Sequence, residues 1–220
     1  AQQSWPRRLN ATSTHDSKRS ADVRARLIAM SQAPAAFAQL AHAFFRRTQQ
    51  CLTGELPDPK TRMIALQTMI GAWPLDARRL EATLLKSARE AKTFTSWVRP
   101  NPAYDEALAR FATAVIADEL VREQLDAFVL ELLPAARTIS LAWSLLTCTC
   151  PGVPDFYQGA ELWNLSLVDP DNRGEVNWKL REQAIEDPRI PPLPADEVGL
   201  SKLFVIRKAI ELRRERPELF

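Results

Sequence analysis

The chain has 220 residues, of which 46% are hydrophobic and 25% are charged, a balance typical of a soluble globular protein large enough to bury a core. Its net charge is +2, with no basic stripe and no acidic tail, so composition gives no indication of binding to nucleic acid or to a membrane. Three cysteines and two histidines are too few for a disulfide framework or a convincing zinc site, so we expect no metal or organic cofactor and a reducing, cytoplasmic location.

The first predicted element is a short strand from Leu9 to Thr14, which leads into His15 and Asp16. From Ala21 onward, apolar residues recur at helical spacing. Seven helices are predicted in this region, at Asp22 to Met30, Pro34 to Gln49, Thr61 to Trp73, Asp76 to Lys92, Pro102 to Asp118, Glu119 to Leu133 and Pro134 to about Leu146. Ser20 is predicted to cap the first helix through its side-chain oxygen. The seventh begins at a proline, which the first turn of a helix tolerates.

The longest apolar stretch runs from Ile139 to Cys150, contains several Ser and Thr residues, and is too short to span a bilayer. Its end includes Cys148 and Cys150, a C-x-C pair that could form half of a metal site. With so few histidines to complete such a site, the favoured interpretation is that both cysteines are small buried hydrophobes.

The last part of the chain contains a second predicted strand, from Val153 to Tyr157, and an amphipathic helix from Leu200 to Arg214. The predicted inward face of that helix comprises Leu200, Leu203, Phe204 and Ile210. Pro188 to Pro194 holds four prolines in seven residues and is predicted to be a linker or surface loop. The chain begins at Ala1 without Met and ends within a charged helical pattern, so we expect it to be part of a longer protein.

Three polar segments could carry chemistry, and the first contains His15 and Asp16 at the predicted end of a strand. In a β/α barrel the active site lies at the C-terminal ends of the strands. A carboxylate beside an imidazole, followed by Lys18 and Arg19, suits a polyhydroxylated substrate. A helix-capping Asp16 with a structural His15 explains the same residues equally well.

The second and third segments follow the second predicted strand. Tyr157 offers a ring and a hydroxyl, Gln158 offers a donor and acceptors, and Glu161 offers a carboxylate, although a core strand with a polar exit is also consistent. The third segment is a polar loop around a proline, with Asp169, Asp171, Asn172 and Arg173. It suits recognition of hydroxyl groups, and it equally suits an ordinary Asx-turn loop.

Five motifs distributed along the chain share one family resemblance. They are Thr14-His-Asp-Ser-Lys-Arg-Ser-Ala-Asp-Val-Arg-Ala-Arg26, Gly71-Ala-Trp-Pro74, Ala91-Lys-Thr-Phe-Thr-Ser-Trp97, Pro151 to Leu162, and Leu165-Ser-Leu-Val-Asp-Pro-Asp-Asn-Arg173. Together they resemble the maltooligosyltrehalose synthases of the α-amylase superfamily. The resemblance implies a mainly α chain. This chain would consist of a helical insertion domain plus the last two strand/helix units of a (β/α)8 barrel. The implied divisions are residues 1–19 with strand seven and the active-site loop, 20–150 as the helical insertion region, and 151–220 with strand eight, the following loop and C-terminal helices.

The resemblance also implies roles for individual residues. Asp16 matches the carboxylate that stabilises the transition state, and His15 matches the histidine that hydrogen-bonds sugar hydroxyls in the −1 subsite. Lys18 and Arg19 match a basic pair beside the active site. The residues at the rim of strand eight are Tyr157, Gln158 and Glu161. The sequence departs from the family pattern in two places, with Ser17 where threonine is expected and Arg173-Gly-Glu-Val-Asn177 in place of Arg-Arg-Pro-Val-Asp.

The implied reaction is intramolecular and moves the reducing-end glucose of a maltooligosaccharide from an α-1,4 to an α,α-1,1 linkage. Such retaining chemistry needs a nucleophile and an acid about 5–5.5 Å apart. The family places both upstream of Ala1, so we expect this chain to be inactive alone, with the rest of the barrel as its partner. Two alternatives remain at this point, an α-glucan hydrolase of the same superfamily and a non-catalytic helical interaction domain.

Overall fold

A computed structural model describes residues 8–186 and 193–220, and the predicted linker at Pro188 to Pro194 lies largely outside them. The helices within the described residues are α1 (Ala21–Ala29), α2 (Pro34–Arg47), α3 (Pro59–Ala72), α4 (Ala77–Ala91), α5 (Pro102–Ala117), α6 (Glu119–Thr149), α7 (Trp178–Glu186) and α8 (Leu200–Glu215). The strands are β1 (Leu9–Ala11) and β2 (Val153–Asp155). The predicted mainly helical fold with two short strands is confirmed. The helix α7 was not predicted.

The two strands pair with each other in parallel, with Leu9 opposite Val153 and Ala11 opposite Asp155. Gly152 precedes β2 at φ +128°, and a Cβ there would lie 2.7 Å from the carbonyl oxygen of Arg8, so a residue with a side chain would not fit. Because the strands are parallel, both end at the same edge of the sheet. The two loops that follow them therefore begin side by side.

The chain divides into two compact units, one of residues 1–29 and 133–220 and one of residues 30–132, with the boundary inside α6. The second unit is a helical cluster whose large buried side chains are Phe44, Leu66, Met69, Ile70, Leu80, Leu84, Tyr104, Leu108, Phe111 and Leu125. Asp58 caps α3 by accepting hydrogen bonds from the backbone N–H groups of Lys60 and Thr61. Burial raises the pKa of Asp58, but hydrogen bonds from Thr61 and Tyr104 outweigh it and leave the pKa below its ordinary value.

Helix α6 corrects a prediction, because it is one continuous helix where two were predicted. Pro134 lies inside it and has no N–H, so the helix lacks one backbone hydrogen bond there. Buried residues lie on both sides of the proline, including Leu125 and Leu132 before it and Ala136 and Ser140 after it. Packing of both halves therefore outweighs the intrinsic tendency of proline to end a helix.

The length and composition of α6 are sufficient to cross a membrane, and within the described residues it is the one such helix. The stretch from Ile139 to Cys150, predicted from sequence to be too short, is part of this longer helix. Of its most apolar window, 28% is buried, and core helices of soluble proteins meet the same criteria of length and composition.

Helix α8 is amphipathic as predicted, but its inward face is rotated from the predicted one. Phe204 and Ile210 are exposed, whereas Ile206 and Ala209 are buried beside Leu203 and Lys202. Cys148 is buried against Ile206 and Ala209, with Phe156 packed beside them. All three cysteines are free, and no cluster of potential metal ligands exists among the described residues. Cys148 is therefore a small buried hydrophobe, as predicted, whereas Cys150 is only partly buried, so the prediction is wrong for it.

Candidate functional site

A small cleft forms where the loops after β1 and β2 meet. Its lining includes Ser13, Thr14, Ser17, Tyr157, Asn164 and Asn172. These residues come from all three polar segments singled out in the sequence. The parallel strand pair places the first two segments side by side, and the loop of residues 163–173 folds back against them.

The loop after β1 carries His15 and Asp16 into solvent. Their side chains are 57% and 86% exposed, and His15 Nε2 lies 3.3 Å from Asp16 Oδ2. The backbone N–H of Asp16 donates to Thr14 Oγ1 at 3.2 Å, and that of Ser17 donates to the Thr14 carbonyl at 3.1 Å, so the loop is a tight turn. An exposed carboxylate on a defined turn is available to a ligand.

The alternative role of Asp16 as a helix cap does not fit this geometry. Helix α1 begins at Ala21, and Ser20 Oγ accepts a hydrogen bond from the N–H of Val23 at 3.3 Å. Ser20 is thus the cap, as predicted. Asp16 lies four residues before that cap and makes its side-chain contact with His15. Its position is therefore not explained by the start of α1.

The loop of residues 163–173 is fixed directly to the loop after β1. Arg19 and Leu167 form an antiparallel bridge, and the N–H of Ser20 donates to the Ser166 carbonyl at 3.0 Å. Asn172 Nδ2 donates to the carbonyl of His15 at 2.8 Å. Sequence reasoning placed Asn172 in a polar loop suited to hydroxyl recognition but gave it no individual role. The one signal in the sequence was that Asn172 lies close to two aspartates and an arginine.

Most other predicted ligand residues contact the protein itself. Glu161 forms an ion pair with Arg181, and both side chains are largely buried. Asp169 pairs with Arg173, and Asp171 accepts a hydrogen bond from the N–H of Leu167 at 2.7 Å. These groups therefore shape the loops.

Of the remaining predicted residues, Tyr157 lines the cleft. It is half-buried, whereas Gln158 and Lys18 are exposed. Arg19 is half-buried, and burial lowers the pKa of its guanidinium, which still remains a cation at neutral pH. The structure thus places Tyr157 in the same cleft as Thr14 and Ser17, the residues on either side of His15 and Asp16.

Sequence reasoning missed a buried ion pair beside this site. The carboxylate of Asp22 lies 2.9 and 3.1 Å from Lys202 Nζ and accepts a hydrogen bond from the N–H of Asn164 at 2.7 Å. Ser140 Oγ donates to the same carboxylate, and Lys202 Nζ donates to the Leu162 carbonyl at 3.3 Å. The network joins α1, α6 and α8 to the segment that leads into the loop of residues 163–173. The one sequence signal was the spacing of Lys202 with Ile206 and Ala209 on one helical face.

Comparison with known proteins gives the same family at the level of sequence and of structure. Over 98% of its length, the chain is 38% identical to proteins of two Mycobacterium tuberculosis strains assigned as maltooligosyl trehalose synthases, and it spans 27% of their length. The structure of maltooligosyltrehalose synthase from Arthrobacter ramosus matches with a TM-score of 0.84 at 39% identity, over 98% of this chain and 28% of that one. A structure described as a hypothetical maltooligosyl trehalose synthase from Sulfolobus tokodaii gives 0.81 at 30% identity, over 94% of this chain and 28% of that one.

A search with protein-family models finds no match. The pairwise similarities nevertheless extend over nearly the whole chain, at identities of 30–39% and TM-scores above 0.8. The chain is therefore homologous, in both sequence and fold, to about a quarter of the length of the maltooligosyltrehalose synthases.

Proposed function

We propose that this chain supplies the His15–Asp16 side of the active site of a retaining glucan mutase. The proposed reaction converts the reducing-end α-1,4 linkage of a maltooligosaccharide into an α,α-1,1 linkage. The observation that supports this most directly is the exposed Asp16 carboxylate on a turn that follows a strand and adjoins the loop of its parallel neighbour. In this proposal β1 and β2 are strands seven and eight of a (β/α)8 barrel, and residues 20–150 are a helical insertion.

The proposed role of Asp16 is electrostatic. A retaining mechanism passes through an oxocarbenium-like state, to which a nearby carboxylate contributes negative charge. At an effective dielectric constant of about 20, two unit charges about 4 Å apart interact by roughly 4 kcal/mol. His15, whose Nε2 lies 3.3 Å from the carboxylate, would bind sugar hydroxyls beside it. The nucleophile and the general acid would come from the remainder of the relatives' length.

The exposed apolar residues of the strands support an origin in a larger sheet. Leu9 in β1 and Val153 in β2 are exposed, and among the described residues neither strand has a second neighbour. A two-stranded sheet is marginally stable by itself. We therefore propose that further strands of a barrel pack on both sides. The proposed ligand of the completed site is a maltooligosaccharide. We also propose that the whole protein is a soluble, cytoplasmic enzyme.

The substitution Asp16→Asn, in a polypeptide of the relatives' full length that contains this chain, tests the proposal. It keeps the size of the side chain and removes its charge. Turnover of maltooligosaccharide into trehalose-terminated product should fall by several orders of magnitude, while KM should change much less, because the neutral ground-state sugar gains little from the charge. The 220-residue chain alone should form no product above a boiled control.

A matched control is Asp76→Asn, because Asp76 caps α4 by accepting from the N–H of Arg79 and asparagine caps about as well as aspartate. This variant should retain parental turnover. Near-parental turnover of a folded Asp16→Asn variant would refute the proposed role of Asp16. Formation of shorter maltooligosaccharides and glucose instead of a trehalose-terminated product would identify a hydrolase.

A further inference from the structure

Asn172 connects the loop of residues 163–173 to the turn that carries Asp16. Its residue is 7% exposed, and its Nδ2 donates to the carbonyl oxygen of His15 at 2.8 Å. A peptide carbonyl can only accept a hydrogen bond, so the orientation of the amide is fixed, with nitrogen toward His15 and oxygen away from it. This contact bridges 157 positions of the sequence.

Asn172 Oδ1 is buried and has no hydrogen-bond donor among the described residues. Buried polar atoms nearly always have partners, so such an exception needs an explanation. The residue lines the cleft that also contains Thr14, Ser17 and Tyr157. When Nδ2 donates to the His15 carbonyl, Oδ1 points away from it and has no protein donor in the described part of the chain. The amide is therefore fixed by its contact with the turn.

Asn172 is itself held rigidly. The N–H groups of Asp171 and Arg173 donate to the carbonyls of Val168 and Pro170, each at 3.0 Å, and form a short helical turn around it. That turn is anchored where Leu167 bridges Arg19. The turn with His15 and Asp16, in contrast, is exposed, and its other hydrogen bonds among residues 8–186 and 193–220 are local ones within residues 14–17.

We propose that Asn172 is a positioning residue for Asp16. The carbonyl of His15 and the N–H of Asp16 belong to the same peptide plane, so a hydrogen bond to that carbonyl fixes the direction in which the chain enters Asp16. The rigid loop of residues 163–173 thereby determines where the Asp16 carboxylate lies. The catalytic consequence rests on the proposed function, whereas the positioning itself does not.

The positioning can be measured by NMR on the 220-residue chain, with no assay of activity. A scalar coupling across the hydrogen bond, between the side-chain nitrogen of Asn172 and the carbonyl carbon of His15, should be observed in the unsubstituted protein. Asn172→Asp keeps the shape but cannot donate when ionised, and Asn172→Ala removes the amide altogether. Both should move the 13C signal of the His15 carbonyl upfield and shift the amide signal of Asp16.

The matched control is Asn177→Ala, because Asn177 is an exposed asparagine that caps α7 by accepting from the N–H of Leu180. It should leave the signals of His15 and Asp16 unchanged. In a chain whose circular dichroism shows the helical fold, absence of the coupling, or His15 and Asp16 signals that respond no more to Asn172→Asp than to Asn177→Ala, would overturn the proposal. The coupling is measured on the unsubstituted chain and so decides the question even if a variant does not fold.

A second measurement uses a polypeptide of the relatives' full length that contains this chain. Because misplacement of a catalytic group by about 1 Å can lower a rate about 100-fold, Asn172→Asp should lower kcat about 10- to 100-fold with KM nearly unchanged. A purely structural role would instead lower the melting temperature and leave kcat intact well below it, which would overturn the proposal. If the unsubstituted polypeptide makes no mutase product, the proposed function fails, and the NMR result alone decides the role of Asn172.

Discussion

Replacing Lys202 by methionine removes the cation of the buried ion pair while nearly preserving the length of the side chain. Lys202 is 2% exposed, and its Nζ lies 2.9 and 3.1 Å from the two carboxylate oxygens of Asp22. The substitution removes the cation that Asp22 contacts directly, and leaves the more distant Arg26 guanidinium as a positive charge that acts on this carboxylate. A buried charge that loses its hydrogen-bonded partner is strongly destabilising.

The expected loss follows from what remains around Asp22. Breaking a buried ion pair costs about 3–5 kcal/mol. Asp22 would keep its hydrogen bonds from the N–H of Asn164, at 2.7 Å, and from Ser140 Oγ. We therefore expect a loss at the lower end of the range, about 3 kcal/mol in the free energy of unfolding. With a denaturant dependence of about 3 kcal/mol per molar urea, the midpoint should fall by about 1 M.

The assay is urea unfolding followed by circular dichroism and tryptophan fluorescence, since the ring of Trp163 lies 5.8 Å from Lys202 Nζ. The matched control is Lys208→Met on the same helix, where the exposed Lys208 contacts Glu211 at 2.7 Å. Exposed ion pairs contribute little, so this control should hardly move the midpoint. A midpoint for Lys202→Met that falls no further than that of Lys208→Met would refute the reasoning.

Two further predictions concern titratable groups. Asp196 accepts hydrogen bonds at the start of α8 from the N–H groups of Gly199, Leu200 and Ser201. Burial raises the pKa of Asp196, but these hydrogen bonds outweigh burial and leave the pKa in the folded protein below its ordinary value of about 3.9. The stability that Asp196 contributes is therefore complete above a pH of about 3.9 and is lost as pH falls through the lower pKa of the folded protein. The difference in unfolding free energy between the protein and Asp196→Asn should therefore be constant from about pH 7 to 5 and shrink toward pH 2 in urea titrations; a pH-independent difference would contradict this. Burial raises the pKa of Cys148 to about 11, so iodoacetamide should label it only after unfolding, whereas the half-exposed Cys150 should react in the native protein. Peptide mapping checks this, and equal labelling of both in the native protein would disprove it.

The sequence determined the positions of most helices, because their ends are fixed by local chemistry. Ser20, Asp76 and Asn101 accept backbone hydrogen bonds at the starts of α1, α4 and α5, and each is a capping residue that acts within its own turn. The two strands were also predicted, although runs this short cannot be assigned by periodicity alone, and each is shorter in the structure than predicted. The meeting of the loops that contain Asp16 and Tyr157 then follows from parallel pairing alone.

The tertiary structure decided the features that depend on residues distant in the sequence. Pro134 lies within a continuous helix because packing on both sides outweighs a local preference. Glu161 pairs with Arg181, 20 positions away, so its carboxylate is not available in the way that its place after β2 suggested. No pattern of neighbouring residues could indicate this, because the same carboxylate would fit either arrangement.

The buried Lys202 illustrates the same limit most clearly. A lysine in an amphipathic helix is expected to face solvent, and only the position of Asp22, 180 residues earlier, explains why this one does not. Asn172 likewise has its partner in His15, 157 positions away. The sequence by itself determined the helices and the residue types that could bind a sugar, because those depend on neighbours within a turn or a strand. Which polar groups pair with each other, and which remain free at the cleft, was decided only by folding, because electrostatic pairing and burial act through space between segments that the sequence keeps far apart.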